Sequence, residues 1–457
     1  MGKLYSSLEG FKYCFVPKPH IGGYVAMEAF ARGLLRYGTY DEYHSYFNDD
    51  FFSSLSSDQI FNSPCFSNRL KLRQLKRLLE PGTPPYHIAH FEGVAPDREL
   101  LFRKLLGHKK IPVTRTMYTI ATTAHLRDVL DVCLLGFGGR PYDSTIALSN
   151  STREALLAYL ADLEDSTEGR VKYRGRVDVI PPGIDPDAFQ PCDKYEARKQ
   201  YGIPADAVVL ISLARISSIS KFNYRYLLEA YSRILKKTSK KLFLIIAGSD
   251  RHSEATRLAE LLGVLGLANK VKLIVNFPDK AKSGILACGD MFISLSDNVQ
   301  ESFGISLIEA MAMGLPVVCT DWNGYKDIVT DGATGFRIPT KWKVNPDPSD
   351  ILVNFNHPYD HSVIQRISRS VEIDDHLLGQ RISLLINNDE TRKQMGDAAR
   401  KYVILHFAVK HIINAYEQLW DELNDIAGHD NDEYRDVSDL LYYNYFRHFQ
   451  SYPTALE

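Results

Sequence analysis

Residues Ser294–Pro316 have the sequence SLSDNVQESFGISLIEAMAMGLP, in which a polar loop joins two apolar segments. The segment Met291–Leu295 predicts a buried strand, and Ile305–Met313 predicts a helix that ends at Gly314. Gly304 lets the loop backbone approach a ligand closely, and the free amides of the first helical turn carry partial positive charge. This order of strand, loop and helix is typical of parallel α/β folds that bind an anion.

Two carboxylates accompany the start of this helix. Glu301 lies just before the helix, and Glu309 lies about two turns along it. A carboxylate beside an anion site indicates a ligand that offers hydroxyls as well as phosphates, and a nucleotide-sugar offers both. Taken alone, the pattern fits a second interpretation equally well, in which Glu301 is an ordinary acid at a helix N-terminus and Glu309 is solvated.

The alternation of strand and helix patterns extends along most of the chain. Strands are also predicted at Tyr13–Pro17, His87–Phe91, Ile111–Thr116, Ser144–Leu148, Val177–Ile180, Val208–Ala214, Leu242–Ala247, Val271–Val275 and Pro316–Cys319. We therefore predict an α/β protein with two Rossmann-like domains that face each other across a cleft, at residues 1–185 and 186–405. A helical segment follows at residues 406–457, for which a return to the first domain is one option.

Several segments, in order along the chain, resemble retaining glycosyltransferase family 4, the group 1 glycosyltransferases of GT-B fold. They are Ile180–Phe189 (IPPGIDPDAF), Ile211–Lys221 (ISLARISSISK), Leu244–Ser249 (LIIAGS), the E-x7-E motif from Glu301 to Glu309, and Gly332–Phe336 (GATGF). The resemblance implies a retaining, metal-independent glycosyltransferase with an acceptor-binding N-terminal domain and a donor-binding C-terminal domain. It implies no cofactor, because the nucleotide-sugar is a co-substrate, and the second substrate is a hydroxyl acceptor.

The resemblance also implies roles for charged residues at the edge of the second domain. Arg215 and Lys221 follow the predicted strand Val208–Ala214, where such folds bind phosphate. There, an Arg fork and a Lys point charge would stabilise the negative charge that grows on the departing diphosphate. Arg215, Lys221 and Glu301 are thus the predicted catalytic groups, with Glu301 at the donor sugar and Glu309 at the ribose. The alternative is that both cations are ordinary surface residues.

Further donor-binding residues are predicted in both domains: Gly22, Gly23, Tyr118, Ser302, Phe303, Gly304 and Ile305. Gly22 and Gly23 lie between the first predicted strand and the first helix, where their amides can approach a diphosphate, although a Gly pair is also common in plain turns. Tyr118 occupies a place where family members often carry a His that contacts the donor sugar. Tyrosine can hydrogen-bond a sugar but carries no positive charge near pH 7, so a mechanism that depends on His is in doubt.

Composition and charge limit the partners and the compartment. The chain has 54 Lys and Arg against 56 Asp and Glu, and this formal net charge of −2 disfavours a nucleic-acid partner. No apolar run approaches the ~18 residues of a membrane span, and the N-terminus lacks the apolar core of a signal peptide. Six scattered cysteines predict free thiols, without disulfides or a zinc site, and hence a reducing, cytoplasmic location: Cys14, Cys65, Cys133, Cys192, Cys288 and Cys319.

One basic segment suggests a surface contact. Arg69–Leu79 (RLKLRQLKRLL) interleaves basic residues with leucines and predicts an amphipathic helix. Such a helix suits peripheral contact with a membrane that carries a lipid-linked acceptor, and a solvated helix face is the more common alternative.

Two rival functions remain open. A sugar-phosphate synthase or phosphorylase would use the same fold with a phosphosugar or free phosphate as acceptor. A catalytically silent GT-B partner subunit would keep the fold without turnover, and the Tyr at position 118 keeps that interpretation open. The sequence does not specify the base, the sugar or the acceptor.

Overall fold

The chain forms two parallel β-sheets with helices around them. The computed structural model describes residues 3–16, 22–63, 65–80, 84–93, 96–106, 110–135, 139–218, 220–221, 223–251, 253–342 and 361–432. In each sheet, helices connect successive parallel strands, which is the connectivity of a Rossmann-like domain. The predicted fold class, two such domains with C-terminal helices, is confirmed.

The first sheet contains seven parallel strands in the order β3-β2-β1-β4-β5-β6-β7. The strands are β1 Leu4–Leu8, β2 Glu42–Phe47, β3 Leu70–Gln74, β4 Ile88–Phe91, β5 Val113–Met117, β6 Ser144–Ala147 and β7 Arg176–Val179. The strand order reverses between β1 and β4. The loops that follow these two strands therefore diverge and open a crevice at the carboxyl edge of the sheet.

The second sheet contains six parallel strands in the order β10-β9-β8-β11-β12-β13. The strands are β8 Val208–Leu213, β9 Leu242–Gly248, β10 Val271–Val275, β11 Met291–Ser294, β12 Val317–Thr320 and β13 Gly335–Ile338. Here the order reverses between β8 and β11. After β13, the chain forms an antiparallel pair of strands, β14 Thr340–Trp342 and β15 Val371–Ile373.

The helices cover both sheets. They are α1 Gly22–Tyr37, α2 Asp49–Ser54, α3 Ser57–Phe61, α4 Pro96–Leu105, α5 Thr123–Leu135, α6 Asn150–Ser166, α7 Lys194–Tyr201, α8 Arg225–Leu235, α9 Glu254–Val264, α10 Lys282–Ala287, α11 Ile305–Ala312, α12 Tyr325–Ile328, α13 His361–Arg369, α14 Asp375–Asn387, α15 Asp389–Phe407 and α16 Val409–His429. Short 3₁₀ helices lie at Lys12–Cys14, Leu75–Leu79 and Asp279–Ala281.

The last described helix, α16, packs against the first domain. It contacts α1 so closely that a Cβ atom at Gly33 would lie 2.5 Å from Val409 Cγ2. Trp420 is fully buried, and its indole Nε1 donates a hydrogen bond to Thr114 Oγ1 in β5 at 3.1 Å. The preceding helix, α15, contacts α11 of the second domain. The two long C-terminal helices therefore pack on different domains.

Two predicted elements of the first domain are wrong. The described part of Tyr13–Pro17 is not a strand, because Leu4–Leu8 forms the first strand and the chain then turns through a 3₁₀ helix. Arg69–Leu79 is not a helix but an edge strand followed by a 3₁₀ helix. Its alternating leucines also fit a strand, and pairing with β2 satisfies the backbone groups on one side of it. The expected membrane contact depended on an amphipathic helix at Arg69–Leu79, and the structure has no such helix there.

The prediction of six free thiols is also wrong for one pair. Cys14 and Cys65 form a disulfide in this structure, with Cα atoms 5.8 Å apart. Both residues are buried in the first domain, where the 3₁₀ helix Lys12–Cys14 meets the turn at Ser63. Scattered positions in the sequence cannot show that two cysteines are neighbours in space. The other four cysteines are free thiols.

Candidate functional site

The carboxyl edges of the two sheets enclose a cavity of about 520 Å³. Arg215 follows β8 and Glu301 follows β11, which are the two strands between which the order of the second sheet reverses. Ligands of doubly wound sheets bind at this reversal, because the loops that follow the two strands leave opposite faces of the sheet. From the first domain, the residues Gly22, Gly23 and Tyr118 line the same cavity.

All residues that the sequence singles out for the site line this one cavity. They are Gly22, Gly23, Tyr118, Arg215, Lys221, Glu301, Ser302, Phe303, Gly304, Ile305 and Glu309. The structure thus brings together residues that are far apart in the sequence, while their individual roles stay predictions. Gly22 and Gly23 form the first turn of α1 rather than a loop before it, so their amides belong to a helix N-terminus.

Gly304 holds the loop before α11 in a shape that other residues rarely adopt. Its φ angle is 119°, and a Cβ atom there would lie 2.4 Å from Tyr325 Cε1. Tyr325 is buried, and its hydroxyl shares a hydrogen bond with Ser294 Oγ at 2.7 Å, so the ring cannot easily move. Gly304 therefore lets the first amides of α11 face the cavity.

We expect Gly304→Ala to lower both stability and nucleotide binding. The added methyl group collides with Tyr325 and is strained at this φ angle, so a loss of about 1–3 kcal/mol in the free energy of unfolding is expected. Denaturant unfolding and calorimetric titration with a nucleoside diphosphate measure the two effects. The matched control is Gly263→Ala in α9, where an added Cβ atom has no neighbour within 4 Å. This control should be slightly more stable than the parent, because Ala favours a helix more than Gly does. Unchanged stability and binding in Gly304→Ala would contradict this account of the loop.

Lysine side chains neutralise the carboxylates of the cavity. Lys221 Nζ lies 2.7 Å from Glu301 Oε2, and Lys282 Nζ lies 3.0 Å from Glu309 Oε1 and 3.9 Å from Asp279 Oδ1. Burial of Lys282 favours its neutral form, but the two nearby carboxylates outweigh burial and raise its pKa. Lys282 is therefore cationic at neutral pH, and both lysines are held in place by their counter-ions.

Arg215 differs from the two lysines in its surroundings. Burial lowers the pKa of its guanidinium, and the field of Glu301 opposes that shift. Arg215 Nε is buried and has no hydrogen-bond partner among the residues that the structure describes. A buried guanidinium donor without a partner costs free energy, and a bound anion would remove that cost. Arg215 is thus the cation of the cavity best placed to receive a phosphate group.

Tyr118 connects the two domains at the cavity wall. Its backbone carbonyl accepts a hydrogen bond from Ser302 Oγ at 2.7 Å, and its ring lies 3.7 Å from the place of a Cβ atom at Gly23. Its hydroxyl donates to Glu92 Oε2 at 2.5 Å. Tyr118, the residue that departs from the family pattern, therefore joins the loop before α11 in the second domain to a buried carboxyl of the first.

Burial raises the pKa of Glu92 to about 8, and the hydrogen bond from Tyr118 reduces that shift. The ordinary pKa is 4.5, so between pH 4.5 and about 8 the folded protein holds a proton that the unfolded chain releases. The contribution of Glu92 to the stability of the folded protein is therefore complete below pH 4.5 and is lost as the pH rises through about 8. We therefore expect the melting temperature of the parent, relative to Glu92→Gln, to fall between about pH 5 and pH 8.5 in thermal unfolding. A constant difference would show that Glu92 does not titrate in this range.

Sequence reasoning missed two charged residues near the site. Lys282 lines the cavity and pairs with Glu309, but it starts a short helix that no motif marks. Glu92 follows a strand that the sequence does predict, and its position directly after His87–Phe91 is the signal that could have indicated it.

In the described part of the chain, no group of three or more His, Cys, Asp or Glu side chains is arranged to hold a metal ion. None of the described helices is long and apolar enough to cross a bilayer.

Residues 193–345, which contain most of these site residues, match the family model for glycosyl transferases, group 1. This segment is therefore similar to group 1 glycosyl transferases. Curated relatives of this domain include D-inositol 3-phosphate glycosyltransferase 2 of Catenulispora acidiphila, 33% identical over 182 residues that cover 38% of this chain and 40% of the relative. The D-inositol 3-phosphate glycosyltransferase of Geodermatophilus obscurus is 29% identical over 251 residues, or 52% of each chain. The chain thus spans about half the length of the curated relatives it matches.

Solved structures resemble the fold over most of the chain, including the segment that matches the family model. A sucrose-phosphate synthase from Thermosynechococcus elongatus has a TM-score of 0.62 at 16% identity and covers 93% of this chain and 100% of its own. Anabaena Alr3699/HepE, solved in complex with UDP and glucose, has a TM-score of 0.58 at 15% identity over 92% of this chain and 100% of its own. These similarities confirm the GT-B fold.

Proposed function

We propose that this protein is a retaining glycosyltransferase that moves a sugar from a nucleotide-sugar to an acceptor hydroxyl. The proposal rests mainly on the cavity between the two sheets, where a helix N-terminus and two carboxylates meet the guanidinium of Arg215. The buried Nε of that guanidinium has no hydrogen-bond partner among the described residues. Guanidinium and amides suit a diphosphate, and carboxylates suit ribose and hexose hydroxyls. The relatives named as glycosyltransferases and a neighbour solved with UDP and glucose support a sugar nucleotide as the donor.

In the proposed reaction, the bond between the anomeric carbon and the diphosphate oxygen breaks with both electrons going to that oxygen. The acceptor oxygen bonds to the anomeric carbon on the same face, and the departing phosphate oxygen takes the acceptor proton. Arg215, Lys221 and the amides from Phe303 to Ser306 stabilise the charge on the diphosphate as it leaves. Retention on one face needs no covalent intermediate.

The ion pairs of the cavity favour this same-face route over a covalent one. Each carboxylate that lines the cavity, Asp279, Glu301 or Glu309, lies within ion-pair distance of a lysine. A carboxylate held by a cation is a weaker nucleophile than a free one, because its negative charge is already stabilised. We propose Glu301 for the hydroxyls of the donor sugar and Glu309 for the ribose, with no obligatory metal ion.

A thermal-shift screen with nucleoside diphosphates and nucleotide-sugars tests the proposal. A true donor at 100 times its Kd should add about 2.7 kcal/mol to the free energy of unfolding. Release of nucleoside diphosphate in the presence of sugar acceptors then shows transfer, and dependence on a phosphosugar or free phosphate would identify a synthase or phosphorylase instead. Binding without turnover would indicate a silent subunit, and no shift with any nucleotide would refute the proposal.

A further inference from the structure

The N-terminus of α6, in the first domain, contacts residues 322–328 of the second domain, which we call the bridging segment. The backbone N–H of Asn150 donates to Asp327 Oδ2 at 2.7 Å, and Asn150 Nδ2 donates to Asp327 Oδ1 at 3.2 Å. Asn323 Oδ1 accepts hydrogen bonds from Ser149 Oγ at 2.8 Å and from Thr152 Oγ1 at 3.3 Å. Because a helix N-terminus has unpaired N–H groups and partial positive charge, the carboxylate of Asp327 suits this position.

Part of this contact is shielded from water. Ser149 and Thr152 are buried, so the hydrogen bonds that they donate to Asn323 are costly to leave unmade. Asn323 has a φ angle of 42°, in the left-handed region that Asn adopts more readily than most residues. The helix of the first domain therefore holds the bridging segment in a defined shape.

The bridging segment also packs on the loop before α11. A Cβ atom at Gly324 would lie 2.5 Å from Phe303 Cα and 2.8 Å from Ser302 O, so the two backbones are in direct contact. The indole Nε1 of Trp322 donates a hydrogen bond to Asn298 O at 3.0 Å. A shift of the bridging segment would therefore shift the loop before α11 as well.

The bridging segment thus lies between a helix of the first domain and the amides that the proposed function assigns to the diphosphate. Those amides, from Phe303 to Ser306, line the cavity, whereas Asn150, Asn323 and Asp327 do not. These three residues can affect a ligand of the cavity only through the loop that they help to place. Packed contacts of this kind carry energetic coupling between distant groups.

We propose that α6 of the first domain holds the loop before α11 in its diphosphate-binding position, through Asn150, Asn323 and Asp327. This inference rests on the proposed function. The three residues are positioning residues, because none of them touches the ligand. Preorganised amides stabilise the departing diphosphate only while the loop keeps its geometry, so loss of the contact should weaken both nucleotide binding and turnover.

The variant Asn150→Asp tests the inference, because it places a second carboxylate opposite Asp327. The two like charges should separate α6 from the bridging segment, while an acidic residue in the first turn favours the helix itself. Of UDP, GDP and ADP, the nucleotide that binds the parent best should show a Kd about five- to tenfold higher in calorimetry. The kcat for release of nucleoside diphosphate should also fall.

A second substitution in the same protein should restore what the first removes. Asp327→Asn added to Asn150→Asp exchanges the two groups, so an amide again faces a carboxylate, and Kd and kcat should return to within about twofold of the parent. A general loss of stability would not be repaired in this way. The matched control is Lys326→Gln, which changes the charge beside Asp327 by the same amount at an exposed side chain and should bind nucleotide like the parent.

Hydrogen exchange without nucleotide separates this inference from the proposed function. The amides of Glu301 and Leu307 donate to Asn298 O and Gly304 O, and they should exchange faster in Asn150→Asp than in the parent. Unchanged exchange overturns the inference, as does faster exchange with unchanged nucleotide affinity, or a lack of recovery when Asp327→Asn is added. Failure of UDP, GDP and ADP to bind the parent refutes the proposed function itself.

Discussion

Arg215→Ala should lower kcat by about 10²–10³-fold, the typical effect of losing one preorganised electrostatic donor. The guanidinium lines the cavity, and its buried Nε has no hydrogen-bond partner among the described residues, so this donor is available to a ligand. The charge on the diphosphate grows as the glycosidic bond breaks, so the interaction is stronger in the transition state than in the bound donor. Affinity for the intact donor should therefore fall much less than turnover.

Two variants make this prediction specific. Arg215→Lys keeps the charge but loses the two-pronged fork, so its kcat should lie between the parent and Arg215→Ala. Arg251→Ala removes an exposed cation that is close enough to affect the pKa of Arg215 but does not line the cavity, and its kcat should stay within about twofold of the parent. The assay is release of nucleoside diphosphate at saturating donor. Turnover of Arg215→Ala within about twofold of the parent would remove Arg215 from the mechanism.

The second domain was the more predictable from sequence, and its composition gives the reason. Its central strands, such as Val208–Leu213, are buried on both faces, so they appear as continuous apolar runs. The first domain instead buries polar side chains in its strands. Ser6 Oγ donates to the backbone oxygen of Ile88 at 2.8 Å, and Ser7 and Ser45 are also buried. Hydrogen bonds satisfy these groups, so hydrophobicity does not mark β1 and β2.

The site was predictable as far as local motifs extend. The loop at Glu301–Gly304 and the cations after β8 carry their signal within a few residues, and the structure places them around one cavity. The partners of these groups come from distant parts of the chain. Tyr118 meets Glu92 because the neighbouring strands β5 and β4 end at the same edge of the first sheet. Lys282 meets Glu309 although the strands before them, β10 and β11, are not neighbours in the second sheet. Such pairings depend on strand order, which a single sequence does not specify.

Glu309→Gln should weaken nucleoside diphosphate binding by about 10–100-fold, because the ribose hydroxyls lose a charged acceptor. The same change should also destabilise the protein, since Glu309 is only 4% exposed and its carboxylate neutralises the buried Lys282. Breaking an isolated buried pair costs about 3–5 kcal/mol. We expect a smaller loss, about 2–3 kcal/mol, because Asp279 remains near Lys282 as a second counter-ion.

A double variant separates binding from stability. Lys282→Met together with Glu309→Gln removes the unpaired charge, so much of the stability should return, and a double-mutant cycle in the free energy of unfolding measures the coupling. Nucleotide affinity should stay low in the double variant, because the ribose acceptor is still missing. Glu301→Gln should behave differently, sparing diphosphate affinity while impairing sugar transfer, because its proposed partner is the donor sugar. If Glu301→Gln and Glu309→Gln lose diphosphate affinity equally, the proposed roles of Glu301 and Glu309 are wrong.

The double variant has its own contradicting outcome. If its nucleotide affinity recovers together with its stability, Glu309 only supports Lys282.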